Sequence, residues 1–282
     1  LSGISLKAEV STDQGTALSQ KFGGLNIDSI PDSLLFTADL QGDLETLAMN
    51  NLDIVVEDQG VDIKLSGKME NILKLKGADA TLTATIETLD IVGGYIGREL
   101  PVLGPIDLSA TLISPDNSSQ LKSLIINLKD PALTAQVSAT TGRISRAEQN
   151  KLVINDISIQ GSADSDQLNG IVKKLGIELP VALPSSFSLK TAAAGNLDKL
   201  GIDVLDIALK DEGVDAQLSA IADNILDQSG IRATLTTDVA STANLSKFAG
   251  MEISDLGSLI LRGELSSADN TYKLDGLDIE LG

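Results

Sequence analysis

Apolar and polar residues alternate with a period of two through most of this chain, and no other feature constrains its fold as much. Ala80-Thr81-Leu82-Thr83-Ala84-Thr85-Ile86 is the cleanest run. A period of two puts successive side chains on opposite faces of a β-strand, whereas a helix would repeat every 3.6 residues. One face collects Ile4, Leu6, Ala8 and Val10, then Leu52, Ile54 and Val56, then Val61, Ile63 and Leu65. Later strands add Leu82, Ala84 and Ile86, Leu108, Ala110 and Leu112, Leu133, Ala135 and Val137, and Val214, Ala216 and Leu218. The opposite face carries Ser5, Lys7, Glu9, Asp53, Glu57, Asp62, Lys64, Thr81, Thr83, Asp107, Ser109, Thr134, Gln136, Asp215 and Gln217. Each strand position therefore has a wet side and an apolar side.

The pattern also recurs on a longer scale. Glycine markers at Gly24, Gly97, Gly176 and Gly250 are spaced by 97 − 24 = 73, 176 − 97 = 79 and 250 − 176 = 74 residues. A second marker, Leu52-Asp53-Ile54, Leu124-Ile125-Ile126, Leu205-Asp206-Ile207 and Leu277-Asp278-Ile279, is spaced by 72, 81 and 72. Two markers in step predict four repeats, approximately 1–75, 76–148, 149–228 and 229–282, the last truncated, within one elongated domain. Each repeat reads as a strand, a short helix (about Asp90 to Ile96 in the second), a turn and three more strands, about fifteen strands in all. Asp90, Asp166 and Asn244 are the expected helix N-caps, with Thr16 the weaker equivalent in the first repeat. The recurring glycine sits where a helix C-terminus needs positive φ. Prolines mark the exit at Pro31, Pro101 and Pro105, and Pro180 and Pro184. Asp58-Gln59-Gly60, Asp211-Glu212-Gly213 and Lys129-Asp130-Pro131 separate alternating runs and predict hairpin turns. The expected fold class is all-β with short helices, a long curved antiparallel sheet folded over an aliphatic groove or core.

Composition removes most chemistry. The chain has no Cys, His or Trp, hence no thiolate, no imidazole base and no common zinc or haem ligand set. Neither an enzyme nor a cofactor is expected. Leu18-Ser19-Gln20-Lys21 lacks Ser-x-x-Lys spacing. Ile91-Val92-Gly93-Gly94-Tyr95-Ile96-Gly97 lacks the Lys-Ser/Thr of a phosphate loop. Asp203, Asp206, Asp211, Glu212 and Asp215 sit largely on alternate strand positions, which favours a solvated face over a calcium loop. The net charge of −19 repels phosphate backbones and excludes nucleic acid as a natural partner. Aromatics are 2% against 42% hydrophobic residues, so the apolar face is aliphatic. Tyr95, Tyr272, Phe22, Phe36, Phe187 and Phe248 do not line one strand face, which disfavours a carbohydrate platform. Leu1 opens on strand-like sequence and Leu277–Leu281 is strand-like to the end, so a piece of a longer protein is expected.

Two destinations for the apolar face stay open on this reading. Two halves of a bent sheet, or the helices, would seal it as an ordinary core. Alternatively, one short helix per four strands leaves much of it as a trough for acyl chains. On the trough reading the lipid-facing residues are Leu6, Ala8, Ile54, Ile63, Leu65, Leu82, Ala84, Ile86, Leu108, Ala110, Ile126, Val137, Ile207, Leu218, Leu235 and Ile279. A structural or adhesive extracytoplasmic β-repeat with a closed core and no lipid is the alternative.

The segment Gly97-Arg98-Glu99-Leu100-Pro101-Val102-Leu103-Gly104-Pro105, followed by the alternating run from Ile106 to Leu112, resembles the repeat of the AsmA-like family of Gram-negative envelope proteins, relatives of AsmA and TamB. Gly176-Ile177-Glu178-Leu179-Pro180-Val181-Ala182-Leu183-Pro184 departs from it by lacking a glycine before Pro184, and the first and last repeats fit loosely. The resemblance implies a periplasmic body on an inner-membrane anchor and a curved sheet with a hydrophobic groove. It further implies phospholipid movement between inner and outer membranes, outer-membrane assembly, and envelope-protein partners. It carries no catalytic residues.

Overall fold

The computed structural model describes residues 2–12, 33–43, 45–74, 76–115, 118–146, 152–177, 179, 182–268 and 271–282. Thr16, Leu18 to Lys21, Phe22, Gly24, Pro31, Glu178, Pro180 and Val181 lie outside the described residues.

The first half of the chain runs β1 (Ser2–Thr12), β2 (Ser33–Asp43), β3 (Ala48–Asp58), β4 (Val61–Asn71), β5 (Lys76–Ile86), helix α1 (Leu89–Ile96), β6 (Ile106–Ser114), β7 (Gln120–Asp130) and β8 (Leu133–Thr140). A small ribbon, β9 (Ile144–Arg146) with β10 (Leu152–Ile154), precedes β11 (Ile157–Ser165) and helix α2 (Leu168–Lys174). Then come β12 (Ser186–Gly195), β13 (Leu200–Asp211), β14 (Val214–Ala222) and β15 (Arg232–Val239). A 3-10 turn (Thr242–Leu245) leads into one helical turn, α3 (Ser246–Ala249), before β16 (Leu259–Ala268) and β17 (Thr271–Leu281). All strands except the β9–β10 ribbon form one long antiparallel sheet of 15 strands in chain order. Packing divides the chain into two units, Leu1–Leu128 with Ala139–Ile154, and Lys129–Ser138 with Asn155–Gly282.

The alternating runs become strands because period-two side chains match the pleat, and the turns carry the residues that hairpins require. Gly60 and Gly213 have φ of 74° and 68°, each one residue before a strand. Gly97 (φ 64°) and Gly250 (φ 65°) end α1 and α3 in the left-handed region, and Gly176 (φ 67°) stands one residue further on at α2, whose C-cap is Leu175. The helix starts differ from expectation. Asp90 is inside the first turn of α1 behind Thr88, and the residue before α2 is Gln167, whose N–H donates to Ser165 Oγ. Asn244 is inside the 3-10 turn, where Ser241 caps by accepting the Ala243 N–H at 3.2 Å. An acidic or amide residue suits the first turn as well as the cap, so the position at which the strand releases the chain decides between them.

Comparing turns exposes a tandem duplication. Asp43 Oδ1 accepts the N–H groups of Glu45 and Thr46, and Asn196 Oδ1 those of Asp198 and Lys199. Asn71 and Asn224, both buried, tie the next turn along in each half. The spacing is constant: 196 − 43, 224 − 71, 213 − 60 and 250 − 97 are all 153. At that spacing residues 1–129 align with 154–282 without a gap, and 41 of the 129 pairs are identical. Even the bulges recur. Those at Asp39/Leu40 and Met49/Leu52 reappear at Ala192/Ala193 and Ile202/Leu205.

Candidate functional site: an uncovered aliphatic face

In each unit the antiparallel register lines the apolar residues into rows across the strands. In the first unit, one row runs Val10, Phe36, Ile54, Leu65, Leu82, Ala110 and Leu124. Beside it runs Thr12, Leu34, Val56, Ile63, Ala84, Leu108 and Ile126. Leu6 and Ala8 stand opposite Leu40 and Ala38, and Ile86 lies between Val61 and Ile106. In the second unit, Leu189, Ile207, Leu218, Leu235 and Gly263 form one row. Phe187, Leu209, Ala216, Thr237, Leu261 and Ile279 form the next. Val137 alternates with Gln136 and Ser138 on β8.

These rows are only partly covered. Among the described residues the buried hydrophobic side chains are Ala38, Val61, Leu103, Ile106, Ala132, Ile171, Ala222 and Val239. Most of them gather at strand ends, where the helices and their exit loops sit. Leu89 N–H donates to the Leu103 carbonyl at 2.8 Å, which closes the loop after α1 beside Val61 and Ile106. In the next row along the same strands, Ile63, Ala84 and Leu108 are only half-buried. β15 shows the contrast on a single strand face: Val239, near the 3-10 turn, is 0% exposed, and Leu235 is 39% exposed. The helices therefore close a rim and leave the middle of the aliphatic face open.

The polar face holds ordinary surface chemistry. Lys7 and Asp39, Lys210 and Asp215, and Arg232 and Asp223 pair at 3.9, 3.1 and 3.4 Å. Asp203 and Glu212 are exposed, while Asp206 accepts from Ser219 at 2.7 Å. Asp211 is held below the usual carboxylate range, chiefly by the Glu212 N–H and further by Lys247 at 3.1 Å. The five acids thus have separate partners or none in common, and no group of three potential metal-holding side chains occurs among the described residues. A hollow of about 540 Å³ at the β8–β13 end is lined by Asp130, Thr134, Asp164, Asp166, Ser188 and Lys210. Its best-buried member, Asp130, is already committed to Lys174 (2.6 Å) and to the Ala132 N–H (2.8 Å). Tyr95 is 42% exposed and its hydroxyl bonds Asp58, so it braces α1 against the β3–β4 turn.

Sequence reasoning omitted the β2 and β12 rows. The run Leu34-Leu35-Phe36 blurs the period, because Leu35 pairs with Val55 on the opposite face. Phe36 and Phe187 consequently belong to the aliphatic face as well. Among the described residues no helix is long and apolar enough to cross a membrane. Neither protein-family models, nor curated proteins, nor solved structures yield a match to this chain.

Proposed function

We propose that the chain is a non-catalytic, lipid-handling segment of an AsmA-like envelope protein, working in the periplasm as part of a longer, inner-membrane-anchored chain. Its aliphatic faces take the acyl chains of phospholipid in transit between inner and outer membranes, in support of outer-membrane assembly. The observation that carries this reading is the open aliphatic face: Leu235 stands 39% exposed on the face of β15 whose end, Val239, is sealed. Such a face gains about 0.8 kcal/mol per methylene that it takes from water. An acyl chain asks for no more than that, since it offers no polar group to recognise.

The finer architecture belongs to the same proposal. Four repeats of about 75 residues, each a strand, a helix and three strands, curve the sheet into a groove. The order β5, α1, β6, β7, β8 matches β11, α2, β12, β13, β14, which supports this division. Identical pairs at the 153 spacing include Ile54/Ile207, Leu65/Leu218, Leu82/Leu235, Leu108/Leu261 and Ile126/Ile279, all on the aliphatic face. The acidic polar face keeps the sheet off an anionic bilayer surface and leaves the aliphatic side as the lipid contact.

Native mass spectrometry of the purified chain, with lipid extraction, tests the reading. Phospholipid retained by the wild type and lost on Leu235→Lys and Leu108→Lys supports it. A lipid-free chain that also takes up no acyl chain from added phospholipid overturns it in favour of a structural or adhesive repeat.

A further inference from the structure

Three aspartates grip the three helices in one way. Asp58, Asp130 and Asp211 are the last residues of β3, β7 and β13, each just before a turn. Oδ1 accepts an N–H of that turn: Gln59 at 2.8 Å, Ala132 at 2.8 Å and Glu212 at 2.7 Å. Oδ2 reaches a helix further along the chain: the Tyr95 hydroxyl on α1, Lys174 Nζ on α2 at 2.6 Å and Lys247 Nζ on α3 at 3.1 Å. The turn N–H orients each carboxylate, and the free oxygen holds the helix.

The duplication shows this grip surviving a change of chemistry. At the 153-residue spacing Asp58 matches Asp211, but Tyr95 matches Phe248, which has no hydroxyl. The donor is replaced one residue away, where Gly94 matches Lys247. The seat of the helix is kept as well. A Cβ on Gly60 would fall 2.5 Å from the Ile91 side chain, and one on Gly213 2.3 Å from that of Asn244; Ile91 and Asn244 are again 153 residues apart.

The helices themselves bury little. Among the described residues α1 buries only Gly93, α2 only Ile171, and α3 none of its four. Tyr95 and Ile96 are 42% and 56% exposed. Next to the two seats lie buried strand residues, Val61 in one unit and Val239 in the other. An element with few buried apolar contacts opens locally at lower cost than the sheet it rests on.

We propose that α1 and α3 are lids over the buried ends of the aliphatic rows, each latched by its strand-end aspartate, Asp58 or Asp211, and each opening while the sheet stays folded. Opening extends the uncovered part of the face past its rim and lets an acyl chain enter there. That use rests on the lipid-handling role proposed above; the motion does not.

The chain has no cysteine, so a single one reports cleanly. The test is the rate of thiol labelling of Val61→Cys and of Val239→Cys by a soluble aromatic disulfide, read without lipid, with hydrogen exchange of the adjoining strands followed in parallel. Losing a hydrogen bond to a charged group shifts an opening equilibrium by about tenfold or more. Tyr95→Phe should therefore speed labelling of Val61→Cys about tenfold and leave exchange in β3 and β4 unchanged on the labelling timescale. Lys247→Gly should do the same to Val239→Cys. Adding Phe248→Tyr to Lys247→Gly rebuilds the latch of the first copy and should return the rate to within about twofold of its starting value. Unchanged labelling in Tyr95→Phe overturns the proposal, as does labelling that rises only together with strand exchange, or a Lys247→Gly rate that Phe248→Tyr does not restore. With no lipid in the assay the two readings fail separately: inert latches leave lipid retention untouched, and a chain that retains no lipid leaves the latches in place.

Discussion

Substituting lysine at two positions of β15 separates an open aliphatic face from a sealed one. Leu235 and Val239 lie on the same face of the same strand, but Leu235 is 39% exposed and Val239 is 0% exposed. Leu235 has Gly263 as one cross-strand neighbour, and that glycine adds no side chain to cover it. Full burial of a leucine is worth about 2–3 kcal/mol, so roughly 1.5 kcal/mol is at stake at Leu235. A lysine stem recovers part of it by lying along the face with its ammonium in water, leaving a net cost of about 1 kcal/mol for Leu235→Lys. Val239 sits between Val214 and Leu259 near the 3-10 turn. An ammonium there is buried and unpaired, so Val239→Lys costs about 4 kcal/mol or more. Urea unfolding of the purified chain checks this. With a slope of about 2 kcal/mol/M the two midpoints should differ by about 1.5 M. If Leu235→Lys destabilises as much as Val239→Lys, something covers Leu235, and the open-face argument fails.

The matched turns give paired tests. A Cβ on Gly42 or Gly195 would fall 2.0 or 2.1 Å from the carbonyl oxygen of Thr46 or Lys199; either alanine variant should lose about 2 kcal/mol or more in thermal unfolding, the two agreeing closely. Asn224→Ala strips the Leu200 and Leu226 N–H groups of their acceptor and should cost about 2–3 kcal/mol, with Asn71→Ala similar. Asp130→Ala leaves the Lys174 ammonium and the buried Ala132 N–H without their carboxylate, and chemical denaturation should show a loss of about 2–3 kcal/mol. Asp211 has a lowered pKa, so its contribution is present above 3.8 and disappears as pH falls through the folded-state value. Asp211→Asn should therefore flatten the acid limb of a stability-versus-pH curve and leave the shape above pH 5 unchanged, as roughly one carboxylate's titration is removed.

Much of the sheet was legible because its signal is local. The run from Ala80 to Ile86 lies inside β5, Val214 to Leu218 inside β14, and Gln59-Gly60 and Glu212-Gly213 are the turns between paired strands. A strand's two faces follow from neighbours one and two residues away, so no distant contact is needed to read them. β2 was less legible because Leu35 breaks the alternation while pairing with Val55, a partner 20 residues on. The helix starts failed for a related reason: whether Asp90 caps or enters α1 depends on where β5 lets the chain go. The 153-residue duplication was present in the letters, but markers counted singly (73, 79 and 74) disguise it. Gly23, not Gly24, stands 153 residues before Gly176, and that one-residue slip hides the constant spacing.

The sequence by itself determined that this chain makes antiparallel strands with one aliphatic and one acidic side, because side-chain direction along a strand is a property of adjacent residues. Only the tertiary structure decided how much of the aliphatic side is covered. Val239 and Leu235 are equally apolar and equally placed in the alternation, yet one is sealed and the other open. The difference is the reach of a four-residue 3-10 turn and the four-residue helix after it, elements too short to cover more than the strand ends. How far a lid extends over a sheet is set by lengths and connections remote from the residues beneath it, and the alternation of those residues carries no record of it.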